Sequence, residues 1–329
     1  MLAEVLERGD NNQGGVAMPI IDYGSDIYGI DLFEEGRPFR STAYVIKDSE
    51  IALIDTGSAK SHQVLLDGLA ELKLRAEDID HLIMTHVHLD HAGGAGQMMQ
   101  KSTRALLHAH PLAAEHLIDP ARLEQGVRRV YGEQTTALFG PLMPVDKNRV
   151  LSRDDGEVLR LGRRTLTFYH TPGHAKHHLC IGDDLGHAIF SGDMVGIRYH
   201  PGYTGWDFTY GFPTTSPGDF DPEVMLASLD RLQTLHPRRI FHTHFGVTEP
   251  ADEAFDFCRR GVHYIQELIG RLPANVTYEL IYQALSQIIA QDLQRLGHKV
   301  SNTDPLAVDM MLNSQGILVY IQKKEAGKL

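Results

Sequence analysis

Cysteine is almost missing from this chain: Cys180 and Cys258 are the only two in 329 residues, far apart and outside any CxxC pair. They could form one bridge at most. The simpler reading is two reduced, partly buried thiols in a reducing compartment, so a cytoplasmic location is expected. Basic residues are outnumbered, 31 Lys and Arg against 43 Asp and Glu, for a formal net charge of −12. That balance argues against broad binding to nucleic acid or an anionic membrane, since both need a basic face. No apolar run reaches the roughly 18 residues a transmembrane helix needs. The stretch from Met1 to Gly15 is polar, with Asn11, Asn12, Gly14 and Gly15 together, and has no apolar core of a secretory signal. Residues 1–20 are expected to form a loose arm. Internal repeats and low-complexity tracts are absent as well. What remains is a hydrophobic content of 42%, ample for a sizeable core. The length fits a large domain with an appendage.

The stretch that organises the chain is Thr85-His86-Val87-His88-Leu89-Asp90-His91-Ala92-Gly93-Gly94. His81-Leu82-Ile83-Met84 before it reads as a buried strand. The small residues after it allow a tight turn against a helix start. In an extended segment His86 and His88 point the same way, and Asp90 and His91 follow in the loop, facing a second point nearby. Imidazole nitrogen with carboxylate oxygen is the ligand set of zinc and other first-row metals. Three further candidate ligands stand in matching strand-end contexts: His174 after Thr171-Pro172-Gly173, Asp193 after Ser191-Gly192, and His244 after His242-Thr243; Asp55 also ends a strand, behind Ile51-Ala52-Leu53-Ile54.

Along the chain, Thr42–Ile46 and Ile51–Asp55 flank a polar turn and read as a hairpin. Helical spacing is expected over 61–74 and, interrupted by Pro120 and Gly126, over 111–139, an insertion that roofs the site. Strands are expected at 104–108, 165–170, 179–181, 187–190 and 239–242. The stretch from Gly196 to Gly218 is rich in Gly, Pro and aromatics and is expected to be a long irregular loop of the functional kind. Helices are expected over 221–235, 251–271 and 277–297, and a terminal strand over Gly316–Ile321. The strand-rich halves, each with helices, fit two packed sheets covered by helices. The expected organisation is a catalytic domain over 21–250 and a mostly helical extension over 251–329.

The ordered set Leu53-Ile54-Asp55-Thr56-Gly57, His86-x-His88-x-Asp90-His91, Thr171-Pro172-Gly173-His174, Ser191-Gly192-Asp193 and His242-Thr243-His244-Phe245-Gly246 resembles the metallo-β-lactamase superfamily, and most closely its glyoxalase II-like hydrolase branch. The resemblance covers roughly residues 20 to 250. It implies an α/β, four-layer αββα sandwich with the site at one edge between the sheets. It implies two divalent ions per chain, zinc first, with iron or manganese as alternatives. One ion would take His86, His88 and His174, the other Asp90, His91 and His244, with Asp193 bridging. A water shared by two such ions would have its pKa lowered from 15.7 toward about 7, giving a bridging hydroxide as nucleophile. Asp90 and Asp55 are the expected catalytic carboxylates, Asp90 as a ligand and Asp55 as a group that orients one.

Members of this superfamily cleave thioesters, lactones, β-lactams, phosphodiesters and sulfate esters, and some carry one iron and oxidise persulfides. Here residues 245–257 are acidic and lack a basic, tyrosine-containing glutathione-binding segment, and Met194-Val195-Gly196 stands where the lactonase branch often has a tyrosine after the bridging Asp. The expected activity is hydrolysis of a small ester, thioester or lactone. The alternatives are a dinuclear phosphodiesterase, an iron-dependent oxygenase, and a metal-bound regulatory protein of low turnover. Tyr203, Trp206 and Tyr210, from the aromatic loop after Asp193, are the expected walls of the substrate pocket. The partner expected is a small-molecule substrate, with no nucleic acid and no membrane; a homodimer is left open.

Overall fold

In a strand that packs on both faces, alternate side chains enter different cores. Tyr44, Ile46, Ala52 and Ile54 belong to one buried cluster, while Ala43, Val45 and Leu53 from the same strands belong to another. A computed structural model describes residues 20–215, 217–273 and 275–329, so the loose arm expected over 1–20 lies outside the described residues but for Ile20. Seven strands follow one another across the first sheet: β1 (Ile20–Asp22), β2 (Ile27–Asp31), β3 (Thr42–Lys47), β4 (Ile51–Ile54), β5 (His81–Ile83), β6 (Leu106–Ala109) and β7 (Val150–Ser152). The first four pair antiparallel, and β4 to β7 pair parallel, joined by helical crossovers.

The next strands are β8 (Val158–Leu161), β9 (Arg164–His170), β10 (Leu179–Asp183) and β11 (Ala188–Phe190). Then come β12 (Ile197–Tyr199), β13 (Tyr210–Phe212), β14 (Arg239–His242) and β15 (Gly246–Thr248). The second sheet runs β15-β14-β11-β10-β9-β8, and β12 pairs with β13 alone. Phe168, Leu179, Ile181, Phe190 and Phe241 from the second sheet meet Tyr44, Ile46, Ile54 and Ile83 from the first in the central core. On the outer face of the first sheet, Leu65 and Leu69 of the helix His62–Glu71 pack with Leu53 and Leu82. On the outer face of the second, Met225, Leu229 and Leu232 of the helix Pro222–Gln233 pack with Cys180, Ile189 and Ile240. The result is the helix–sheet–sheet–helix sandwich, with an appendage of C-terminal helices on the outer face of the second sheet. No helix among the described residues is long and apolar enough to cross a membrane.

Two sequence expectations are corrected. Gly316–Ile321 is not a terminal strand but part of the helix Ala307–Glu325. Its buried positions, Met310, Asn313, Ser314, Ile317 and Tyr320, recur at three- and four-residue steps that begin well before the apolar run. Gly316 lets this helix approach the loop before Ser216: a Cβ there would stand 2.4 Å from the Thr215 carbonyl oxygen. Asn313 seals that contact, its Oδ1 accepting from Thr215 N at 2.7 Å. Residues 196–218, expected to be irregular, contain the β12–β13 hairpin and a one-turn helix, Pro201–Thr204. The aromatics the loop carries are what stabilise it, with Tyr199 opposite Tyr210 and Ile197 opposite Phe212 across the two strands.

Candidate metal centre

Every group named as a ligand follows the carboxyl end of a strand. β5 leads into His86, His88, Asp90 and His91, β9 into His174, β11 into Asp193 and β14 into His244. Parallel pairing of β4 with β5 and of β11 with β14 brings these ends to one edge of the sandwich. At the turn Thr171–His174, Gly173 has φ 132° and lies against Met225, where a Cβ would fall 2.4 Å from that residue's Cα. Only glycine serves there, and it hands His174 to the cluster.

The side chains gather in two groups, His86, His88, His174 and Asp193 in one and Asp90, His91 and His244 in the other, with the ligand atoms of each within 4.8 Å of one another. His86 Nε2 and His174 Nε2 approach His88 Nδ1 at 2.9 and 3.0 Å. Asp193 reaches both groups: Oδ2 lies 3.4 Å from His174 Nε2, and Oδ1 lies 3.2 Å from His91 Nε2 and 3.5 Å from His244 Nε2. Asp90 Oδ2 lies 3.2 Å from His244 Nε2.

The nitrogens facing away from the cluster are held by the chain. His91 Nδ1 meets Asp55 Oδ2 at 2.9 Å, His244 Nδ1 meets the Arg40 carbonyl at 3.1 Å, and His174 Nδ1 meets the Thr214 carbonyl at 3.3 Å. Asp55 is fully buried and also accepts from Thr85 N and from the hydroxyls of Thr85 and Thr243. Such outward bonds fix ring orientation and leave the inward nitrogen as a lone-pair donor. His242, the other histidine of its motif, sits within β14 with its two nitrogens against Gly196 O and Thr248 Oγ1, apart from the cluster.

The electrostatics fit a cation. Burial and then the neighbouring imidazoles hold His86 well below the ordinary histidine range, as neutral donors require. His91 goes the other way: burial opposes its charging, but Asp193, Asp90 and Asp55 outweigh that and raise it. His91 Nε2 and Asp193 Oδ1 are buried without a hydrogen-bond partner among the described residues, although they stand within ion-pairing distance of each other. Orphaned buried donor and acceptor atoms are costly unless something coordinates them. These His and Asp groups are able to hold metal ions.

Beside the cluster lies a cavity of about 330 Å³. Leu123, Val127, Val130 and Tyr131 face it from the helix Ala121–Tyr131, Phe139 from the end of the short helix Thr135–Phe139, and Leu312 from the C-terminal helix. No residue of the 121–131 helix is fully buried: Leu123 packs at the edge of the first sheet's outer core, and Val127 and Val130 have the cavity beneath them. The expected wall residues are elsewhere and none of them lines this cavity. Tyr203 is buried with its hydroxyl accepting from Arg37 at 3.2 Å, Trp206 stacks on Phe208, and Tyr210 donates to Asp292 at 3.1 Å. Those aromatics follow Asp193 in sequence, but the C-terminal helices offer them a core.

Sequence reasoning missed Tyr131 and Arg40. The Tyr131 ring lies edge-on to Phe139 with centroids 5.0 Å apart, and burial, reinforced by Asp90 and Glu35, keeps the phenol neutral. Arg40 forms a two-pronged pair with Asp309 at 2.9 and 2.7 Å while its carbonyl holds His244. The only sequence signal for Tyr131 was the helical insertion itself; Arg40 and Asp309 are 269 residues apart and carried none.

A family model of the metallo-beta-lactamase superfamily matches residues 36–244. The chain belongs to that superfamily. It is 26% identical over 219 residues to the metallo-beta-lactamase fold-containing protein ST1585 of Sulfurisphaera tokodaii, covering 65% of this chain and 76% of that one. It is 30% identical over 178 residues to the human acyl-coenzyme A thioesterase MBLAC2, covering 50% of this chain and 61% of that protein, so the match spans about three-fifths of the relative's length. Among solved structures, the metallo-beta-lactamase family protein TTHA1429 from Thermus thermophilus superposes with a TM-score of 0.65 at 20% identity, over 93% of this chain and 96% of that one.

Proposed function

We propose that this chain, an enzyme of the metal-dependent hydrolase class, is a dinuclear thioesterase that releases an apolar acyl group as its carboxylate. The observation that carries the reading is one arrangement: seven ligand side chains, with His91 Nε2 and Asp193 Oδ1 orphaned among them, beside a cavity roofed by an apolar helix face. His86, His88 and His174 would hold one divalent ion, zinc first, and Asp90, His91 and His244 the other. Asp193 would turn one oxygen to each. Bound there, such ions supply a water acidic enough to attack near pH 7 and a Lewis acid for the acyl carbonyl. Hydrolysis then consumes one water, breaks the C–S bond, and leaves a carboxylate and a thiol.

The chain's own residues do the rest. Asp55, His178 and the Arg40 carbonyl keep the ligands in place: His178 Nε2 accepts from Asp193 N at 3.2 Å. The neutral Tyr131 phenol stands near Asp90 as a hydrogen-bond donor toward the reacting carbonyl. Leu123, Val127 and Val130 exclude water and take the acyl chain. The name of the human relative supports a thioester over an oxygen ester, and the apolar roof supports an acyl chain over a phosphodiester.

The test is a substrate panel on metal-loaded protein. Octanoyl and dodecanoyl thioesters, followed by thiol release, are expected to exceed bis-p-nitrophenyl phosphate by ~100-fold or more in kcat/KM, within what one specific site achieves. Turnover of the phosphodiester with none of the thioesters would overturn the reading.

A further inference from the structure

A second cavity, of about 360 Å³, opens on the other side of the same cluster. We infer that it receives the leaving group, an elongated thiol arm bearing amides, so that the substrate is a two-armed thioester lying across the metal centre; this rests on the thioesterase reading. The two cavities share six residues: Arg40, Asp90, Tyr131, Phe139, His244 and Leu312. Asp90 and His244 are therefore the waist of a continuous space, and a carbonyl placed over them has room on both sides. Each side lies near the lower end of the ~300–1,000 Å³ range of ligand cavities. A lactone or an acetyl ester would occupy one and leave the other to water.

The two walls differ in chemistry. Beneath the 121–131 helix the first offers an apolar strip of Leu123, Val127 and Val130, and His116, Arg122, His177, Thr214 and Thr215 line the rest of it. The second offers Glu34, Ser58, Lys60 and Ser61, set beside Val64 and Leu138. Glu34 and Glu35 on this wall stand against Lys60, and the Arg40 guanidinium is already held by Asp309, so the wall leans acidic. An anionic arm gains no attraction there, whereas an amide, which is donor and acceptor at once, has the Lys60 and serine groups to donate to it and the glutamates to accept from it. The waist is rigid on the Arg40 side. Asp309 grips that guanidinium with two bonds, and the ion pair has 5% and 4% side-chain exposure. The arms are thus separated by a fixed post, and each is read by its own wall.

The experiment compares thioesters that share an acyl group and differ in thiol, methanethiol against pantetheine, and thioesters of pantetheine that differ in acyl group, acetyl against dodecanoyl. In the parent protein the pantetheine arm is expected to raise kcat/KM at least ~10-fold over the methyl arm. Val64→Trp and Leu138→Trp, which fill the second cavity, are expected to erase that advantage while the preference for dodecanoyl persists. Val127→Trp, which fills the first, is expected to do the reverse. The proposal is overturned if the parent shows no pantetheine advantage. It is also overturned if Val64→Trp and Leu138→Trp, folded by circular dichroism and thermal unfolding, keep that advantage. Should no thioester turn over, the thioesterase reading falls, and binding of the uncleavable thioether S-dodecylpantetheine decides the site. A tenfold or greater loss of affinity in both variants supports the second cavity as the seat of the thiol arm, and unchanged affinity overturns it.

Discussion

Asp193→Ala protein is expected to lose metal and at least ~100-fold in turnover, the scale of a key electrostatic group in a water-poor site. The cause lies in the two oxygens of one carboxylate. Oδ2 faces His174 and Oδ1 faces His91 and His244, so the side chain belongs to both ligand groups. Alanine would leave two cations facing each other with no shared anion between them, and one ion should leave. The backbone should hold, because Asp193 N is anchored to His178 Nε2 and Gly196 N bonds back to the Asp193 carbonyl. Elemental analysis and steady-state kinetics on the same sample check both halves. A variant with the parent's metal content and rate would place the bridge on another residue.

Replacing Asp55 with Ala should cost stability as well as metal. Asp55 lines neither cavity beside the cluster, yet its carboxylate accepts from Thr85 N, from the Thr85 and Thr243 hydroxyls and from His91 Nδ1, at zero exposure. Removing one acceptor that serves several buried donors leaves Thr85 N, the Thr243 hydroxyl and His91 Nδ1 without it, a loss of roughly 3 kcal/mol. His91 also loses the partner that orients it, so zinc affinity at the Asp90–His91–His244 group should fall about 10- to 100-fold, as for other outer partners of metal ligands. Thermal unfolding of the metal-free protein isolates the first effect and competitive chelation the second. If Asp55→Ala melts like the parent and binds zinc as tightly, the carboxylate has no part in holding the site.

The local signals were strong where one strand end carried its own chemistry. The hairpin Thr42–Asp55, the crossover helices and the strand ends at His86, His174, Asp193 and His244 are each set by apolar runs broken by Gly, Pro or polar turns, which survive in the sequence whatever packs on them. The ambiguous run was Gly316–Ile321, six residues that read equally as strand or helix until Met310 and Asn313 are counted in the same period. The aromatics of 199–212 misled for a different reason. Proximity in sequence to Asp193 suggested a pocket wall, but an aromatic goes where apolar area can be buried, and the helices at 251–325 provided more of it than the cavity did. Tyr131 and the Arg40–Asp309 pair arise only when distant segments meet, and no local pattern encodes that meeting.

The claim on which everything else depends is that these seven side chains hold two ions that the reaction needs. Metal-free protein titrated with zinc, with dodecanoyl thioester hydrolysis and bound zinc measured at each addition, tests it most directly. Activity absent without metal and rising to a plateau at about two equivalents per chain is the expected result. A plateau at one equivalent, or hydrolysis undiminished in the metal-free protein, would contradict it.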